Sequence, residues 1–531
     1  VAEFEALRAR HAREVRRLHE KLFYRPLLSA VARVPGEDLR LTAEAARRRL
    51  EALGFGNPEG ALRHLQALTA GMSRRAAIQR TLVPVLLGDF ADAPDPDAGL
   101  LAYRQVSDAL GDTPWYLRFL RDEGQVAERL ATLLGTSRYV ADLLMRAPEG
   151  LRVLGDDAEL VPHTAEALST ALRAAVGRHD DPADAVAAAR ALRRHELLRT
   201  ASADLLGRLD VAAVGEALSA VATATLQAAV DAATREAVAR RGELPTRFAV
   251  IAMGRLGGGE LGYGSDADVL FVHEPMPGSE EREATEAATA VAELTRTLLA
   301  RPAPDPPLEV DANLRPEGKN GPLVRTLASY EAYYRRWAAG WEAQALLRAL
   351  PVAGDACVGE RFTALVDPLR YPRGGLPAAA ITEIRRIKAR VDAERLPRGA
   401  DPATHAKLGR GGLADVEWTV QLLQLRYAAE TAGLRTTRTL PALHAAVEAG
   451  LLASDDAAAL EAAWRVATRA RNAIMLVRGR AGDQVPGHGR DLAAVARAMG
   501  YPLGRDPGQV LEDYRRATRR ARRVVERVFY A

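Results

Sequence analysis

Apolar positions recur at helical spacing along most of the chain, and only a few short stretches break that rhythm. From residue 1 to about 100 the pattern predicts helices, interrupted at Pro35-Gly36 and at Gly54–Pro58. Ala91–Gly99 (ADAPDPDAG) has the composition of a linker or loop. Helical spacing continues from 101 to about 240. Its last segment, Ser202–Arg240, is long and Ala-rich, and it stops at Arg241-Gly242-Glu243-Leu244-Pro245. Three apolar runs too short for helices follow. Phe248–Met253, bounded by Pro245 and Gly254, predicts a buried strand, and Asp268–Val272 and Leu308–Ala312 predict two more. A helix (about Ser279–Ala300) and a Pro-rich loop, Arg301–Pro307, separate the last two. After Asp355 the strands cease, and from about Leu376 to the end the spacing predicts five or six amphipathic helices. Ile381–Leu396, Leu413–Thr431 and Ala457–Arg478 are among them. The fold class expected is therefore α+β, predominantly α-helical, with a small mixed sheet embedded between helical bundles.

The polar residues around these runs carry the chemistry. Ser265-Asp266-Ala267-Asp268 leads from a glycine turn into the second apolar run. Side chains two apart on a strand share a face, so Asp266 and Asp268 can present both carboxylates to one site. Hard cations such as Mg²⁺ bind carboxylates together with substrate phosphates. Two such ions about 3.5–4 Å apart activate an attacking hydroxyl and neutralise a departing pyrophosphate. Asp311, in the third apolar run, is the candidate third ligand, because a charge there is costly without a cation. Gly257, Gly258 and Gly259 predict a phosphate cradle of backbone N–H groups. Gly257-x-Gly259-x-x-Gly262 also fits the dinucleotide-binding fingerprint formally, but an Asp-x-Asp strand follows where that fingerprint wants a longer helix. With no Gly-Lys-Ser/Thr in the chain, a P-loop is unsupported. Arg315 and Lys319, in LRPEGKNG, either meet substrate phosphates, as a fork and a point charge, or anchor a solvated loop.

The order Gly257-Gly258, Ser265-Asp266-Ala267-Asp268 and a later strand aspartate resembles the polymerase-β-type nucleotidyltransferase superfamily. The fuller strings GRLGGGELGYGSDADVLF, VDANLRPEGKNGPLV and KLGRGGLADVEWTVQLLQL resemble the glutamate–ammonia ligase (glutamine synthetase) adenylyltransferase family. The resemblance is strongest over 245–430. It implies a nucleotidyltransferase core using ATP and Mg²⁺, with Asp266, Asp268 and Asp311 as catalytic and metal-binding residues. Gly257–Gly259, Ser265, Arg315 and Lys319 would then bind nucleotide, Ser265 by orienting its loop. It further implies glutamine synthetase as protein substrate and control by glutamine and a PII-type signalling protein. Family members carry two catalytic halves. The amino-terminal half removes AMP from glutamine synthetase by phosphorolysis, and the carboxy-terminal half adds AMP to one of its tyrosines. Here a single Ser-Asp-x-Asp unit stands.

Which half it matches turns on a repeat. Arg16-Arg17-Leu18-His19-Glu20-Lys21-Leu22-Phe23-Tyr24 has the same pattern as Arg522-Arg523-Val524-Val525-Glu526-Arg527-Val528-Phe529-Tyr530. Either two basic amphipathic helices coincide, or both segments close equivalent helical domains of a tandem duplication. The second reading makes 1–100 the helical end of a preceding half plus linker, 101–355 the nucleotidyltransferase domain with its helical amino-terminal part, and 376–531 a carboxy-terminal bundle. The family layout then implies adenylylation; the catalytic residue types alone leave phosphorolysis open. A start at Val1 rather than Met suits a piece of a longer protein.

Composition changes this picture little. A chain of 531 residues accommodates about three domains of ~100–200 residues each. Its 73 basic and 69 acidic residues are interleaved, which predicts solvated helix faces rather than a nucleic-acid footprint. A lone Cys357 excludes an intramolecular disulfide and a cysteine zinc site, and is expected as a small buried hydrophobe. No apolar run reaches the ~18 residues of a membrane span, and the opening residues lack a signal-peptide core. A reducing cytoplasm is the simplest location. Trp337 and Trp341, four apart, are expected to pack in the core. For Lys407, Arg410, Asp415 and Glu417, around the turn Gly409–Gly412, two readings stand: helix capping, or closure over the nucleotide site as the resemblance suggests.

Overall fold

A computed structural model describes residues 43–531 apart from Asp112, Pro114 and Ala338. The amino-terminal copy of the repeat, Arg16–Tyr24, lies outside the described residues. The chain divides into two compact units, Val1–Glu159 and Leu160–Ala531.

The described part of the first unit is helical, and its helices start where side chains can satisfy the first backbone N–H groups. Asn57, Ser73, Asp95 and Ser137 each accept a hydrogen bond from the N–H three residues on. Asp95 does so for a helix over Pro96–Ala109, so the stretch expected as a linker is largely a helix entrance. Its prolines misled: Pro96 occupies the first helical position, where a missing N–H costs nothing. Phe90, Tyr103, Leu130 and Leu133 fill the core of this unit.

In the second unit, helices Pro182–Leu205 and Val211–Arg241 replace the single expected helix. Gly207, at φ 70°, and the cap Asp210 divide them. Val211–Arg241 is long and apolar enough to cross a membrane, yet it packs against neighbouring helices and the sheet, with 61% of its most apolar window buried. The sheet has five strands: β1 (Thr246–Ala252), β2 (Ala267–Pro275), β3 (Val310–Asp311), β4 (Val324–Thr326) and β5 (Leu350–Gly354). β1 pairs antiparallel with β2 and β5, while β3 and β4 both run parallel to β2. β1 and β2 are near-continuous apolar runs because both their faces are covered. On one face Ala249, Ile251, Leu270 and Val272 pack against Tyr330, Val358, Phe362 and Val366. On the other, Phe248 stacks on Phe271 at 5.7 Å.

Beyond the sheet, six helices run from Ala378–Glu394 to Gly508–Val528 among the described residues. Leu443, Leu460, Trp464, Val495, Tyr514 and Phe529 are in their core. One ionic cluster is buried with them. Asp415 accepts from the Nζ of Lys388, from Arg522 and from the N–H of Gly411.

Candidate functional site

The connection from β1 to β2 positions the site. β1 ends at Ala252, a single helical turn follows over Gly254–Gly257, and the loop 258–266 delivers the chain into β2. The turn is tied to the strand it precedes, because Met253 N–H donates to the carbonyl of Asp268 at 2.8 Å. Gly254 has φ 52°, and a Cβ on it would collide with Oδ2 of Asp268. Only glycine leaves space there for the carboxylate. Sequence reasoning passed over this glycine. Its signal was its place immediately after an apolar strand.

β3 brings the second carboxylate. Asp268 and Asp311 stand opposite each other in the parallel register, and Ala267 N–H donates to the carbonyl of Glu309 just before it. Asp311 also accepts from the N–H of Asn313 at 2.6 Å, which fixes its side chain at the strand end. Both carboxylates are half-buried, while Asp266 is exposed one residue before β2 begins. Burial, and then the adjacent Asp311 charge, push Asp268 up to about 6. Lys407 pulls against that rise, and Asp266 adds to it least. Among the described residues no three carboxylate, histidine or cysteine side chains form a ready metal cage. The arrangement is instead an open pair of hard oxygen donors with a third at the rim. It fits an ion such as Mg²⁺, which commonly takes one or two carboxylates and completes its shell with water and substrate phosphates.

The three glycines expected as a phosphate cradle have another task. Their N–H groups are spent on the carbonyls of Met253, Gly254 and Leu256. A Cβ on Gly257 would run into the backbone carbonyl of Arg348, and one on Gly258 into the guanidinium of Arg348. These glycines admit close packing. Ser265 holds the loop, its Oγ accepting from the N–H of Gly262 at 3.1 Å. Arg315 donates to the carbonyls of Ala312, Lys319 and Gly321, so its guanidinium is engaged in shaping the loop after β3. Lys319 is exposed on that loop.

The carboxy-terminal helices grip the same turn. Arg255 is partly buried, donating to the carbonyl of Glu260 at 2.7 Å and pairing with Glu417 at 3.2 Å. The Glu260 carboxylate accepts from the N–H and hydroxyl of Thr439 and pairs with Arg348 at 3.1 Å. The residues around Gly409–Gly412 therefore separate. Asp415 accepts from the N–H of Gly411 and is paired with Lys388 in the core, Glu417 holds Arg255, and Arg410 and Lys407 are exposed.

Residues 127–365, which include both carboxylate strands, match the family described as glutamate-ammonia ligase adenylyltransferase. Residues 385–530 match that described as GlnD PII-uridylyltransferase. A bifunctional glutamine synthetase adenylyltransferase/adenylyl-removing enzyme of Streptomyces coelicolor is 60% identical, over 98% of this chain and 54% of that protein. Proteins of the same name from Mycolicibacterium smegmatis and Mycobacterium leprae are 57% and 54% identical, over 98% and 97% of this chain and 52% of each of theirs. The chain spans about half the length of the curated relatives it matches. Within residues 127–365 two further expectations need correction. Trp337 and Trp341 are 61% and 39% exposed rather than core residues, and Cys357 is exposed. Trp337 ends the helix Leu327–Trp337 and Trp341 lies in the next, Gly340–Leu346, so the four-residue spacing does not put them on one helix face.

Proposed function

We propose that this chain transfers AMP from ATP to a tyrosine of glutamine synthetase, with release of pyrophosphate. The observation that carries the reading is the facing of Asp268 and Asp311 across parallel strands beside the Gly254 turn, in a region of adenylyltransferase sequence. Asp268, Asp311 and Asp266 would hold Mg²⁺. Held by these carboxylates, such an ion would supply charge neutralisation for phosphate and would favour ionisation of the acceptor hydroxyl. Gly254 keeps the Asp268 carboxylate clear of the backbone, and the Asn313 N–H holds that of Asp311 in one orientation. The loop 312–321, braced by Arg315, bears the exposed Lys319, which would supply a point charge for phosphate.

The likeness of the carboxy-terminal segment 522–530 to 16–24 supports placing the chain as the second half of a duplicated enzyme, hence the adenylylating direction. The PII-uridylyltransferase likeness of 385–530 supports a PII-type regulator acting through the helical part. A reducing cytoplasm supplies the substrates this reading needs.

Incubation with glutamine synthetase and ATP labelled at the α-phosphate tests the proposal. Label should pass to a tyrosine of the target, and Asp268→Asn should abolish transfer without loss of helical circular dichroism. Binding of both substrates with no transfer sinks it. A second reading is favoured by the names of the relatives, which join both activities. It would appear as release of ADP from AMP-modified glutamine synthetase only when inorganic phosphate is added.

A further inference from the structure

We infer that Trp337, Trp341 and Arg336, on the connection from β4 to β5, form the surface that holds the protein substrate while its tyrosine reaches the Asp268–Asp311 pair, and that they grip an acidic segment of it. This rests on reading the site as one that transfers AMP to glutamine synthetase.

The first observation is where the sheet topology puts this connection. β4 ends at Thr326, opposite His273, and β5 begins at Leu350, opposite Ala252, which itself pairs with Val269. β4 and β5 both run in the direction of β2, so the chain between them returns from the His273 end of the sheet to the end where Asp268 and Asp311 face each other. The helix Leu327–Trp337 makes that return. It rises about 16 Å, close to the roughly 17 Å from His273 back to Asp268 along the strand. Near its start, the Tyr330 hydroxyl donates to the carbonyl of Phe271 at 3.4 Å. Trp337, at its far end, therefore stands at the carboxylate end of the sheet. The loop 312–321, which leads away from Asp311, is joined to the same helix: Glu317 pairs with Arg325, whose guanidinium lies 5.6 Å from the centre of the Tyr333 ring.

The second observation is a core stripe that runs on into solvent. Leu327, Tyr330, Tyr334 and Trp337 recur at helical spacing on one face of the helix. The first three are buried, whereas Trp337 is 61% exposed. Packing of the core gives no reason for an indole there. Trp341, 39% exposed, opens the next helix, which is fastened to the first: buried Glu342 accepts from the Ala339 N–H at 3.0 Å and from the Tyr333 hydroxyl at 2.9 Å. Between β1 and β5, the only other large apolar side chain exposed among the described residues is Leu350, where the connection ends. Charge adds a direction. Arg335 is paired with Glu331, but Arg336 is exposed, pairs with no carboxylate among the described residues, and lies 4.9 Å from the centre of the Trp337 ring. Tryptophan and arginine are the side chains that most often dominate binding at protein interfaces. An unpaired guanidinium against an exposed indole suits an acidic segment, and its place beside the carboxylates makes the surface continuous with the one the acceptor tyrosine must cross.

Steady-state AMP transfer by the full chain, with glutamine synthetase and Mg²⁺–ATP varied in turn, tests the inference on wild type, Trp337→Ala, Trp341→Ala and Arg336→Glu. Each tryptophan variant should raise the KM for glutamine synthetase roughly tenfold or more. The KM for ATP and the kcat at saturating glutamine synthetase should stay within about twofold of wild type, since uniform binding of one substrate is all that is lost. Arg336→Glu should raise the same KM, and its deficit should shrink as salt screens the exposed charge. An unchanged KM for glutamine synthetase in both tryptophan variants overturns the inference and leaves the proposed function standing. So does a loss shared equally by the KM for ATP or by kcat, which would make the tryptophans props of the carboxylate site. Sedimentation of the same proteins covers the remaining occupant: a wild-type dimer that Trp337→Ala dissociates, with the KM unchanged, would assign the surface to a second copy of this chain. A wild type that binds both substrates and transfers no AMP removes the proposed function and this inference together.

Discussion

A methyl group at position 254 would meet Oδ2 of Asp268 on a backbone that already lies in the left-handed region, at φ 52°. Gly254→Ala should therefore turn the carboxylate away from Asp311. The backbone cost is only about 1–2 kcal/mol, so the variant should fold while the rate of AMP transfer falls by roughly a hundredfold or more. Transfer kinetics beside a thermal melt separate the two effects. Asp204 is a second residue with a legible consequence. It is largely buried, accepts from the hydroxyl of Tyr263 in the loop before β2 at 3.1 Å, and burial raises it from 3.8 to about 6. A carboxyl raised in the folded state stabilises only while protonated. Its contribution is complete below about pH 4 and is lost as the pH climbs through about 6. Asp204→Asn keeps an acceptor for Tyr263 without the buried charge. It should be more stable than wild type at pH 7–8, by at most about 3 kcal/mol, and equal to it near pH 4 in urea titrations. A gain that persists unchanged at pH 4 would contradict the assignment. His273 has the opposite sign. Enclosed by Thr246 and Thr285, it is pushed down to about 4 by burial, so its contribution, complete above about 6.5, fades as the pH falls through 4.

The helix Leu413–Tyr427 begins on a buried charge, Asp415, whose two oxygens serve Lys388, Arg522 and the N–H of Gly411. Removing one member of such a cluster strands the others in the core, at a cost of about 3–5 kcal/mol. Asp415→Ala should lower stability by that order in guanidinium unfolding, with Asp392 still holding Lys388 in part. Periodicity announced elements of this kind: the long amphipathic helices, β1 and β2 were plain because each buries a continuous apolar stripe. β4 and β5 were not. Val324-Arg325-Thr326 is too short to show alternation, and β5 opens with Leu350-Pro351, a pair that reads as a loop. The same limit governs the site. Asp266, Asp268 and Asp311 stood out because charges beside apolar strands are conspicuous. The pairing of Arg255 with Glu417 spans 162 positions of sequence, and no local pattern carries it. The glycine triplet misled for a related reason: a run of glycines states that space is short, and only the fold says whether phosphate or a neighbouring carbonyl takes that space.

On the scale of the whole molecule, every residue of the carboxylate site and its braces, from Arg255 to Thr439, falls in the second compact unit. A chain of residues 160–531 should therefore bind Mg²⁺–ATP with the affinity of the full chain, measured by calorimetry. Loss of binding in a folded 160–531 protein would place a needed group before Leu160. β3 has a different consequence. It is only two residues long, and its alignment with β2 depends on the bond from Ala267 to Glu309, helped by Arg296 donating to the carbonyl of Val310 at 3.4 Å. A slip of one residue would turn Asp311 to the opposite face and leave both large helical cores untouched. Such molecules would be folded, soluble and silent. A fault at Arg296 would thus reduce the share of competent molecules in a preparation rather than the speed of each one. Active-site titration would reveal this, while every bulk measure of folding would pass it over.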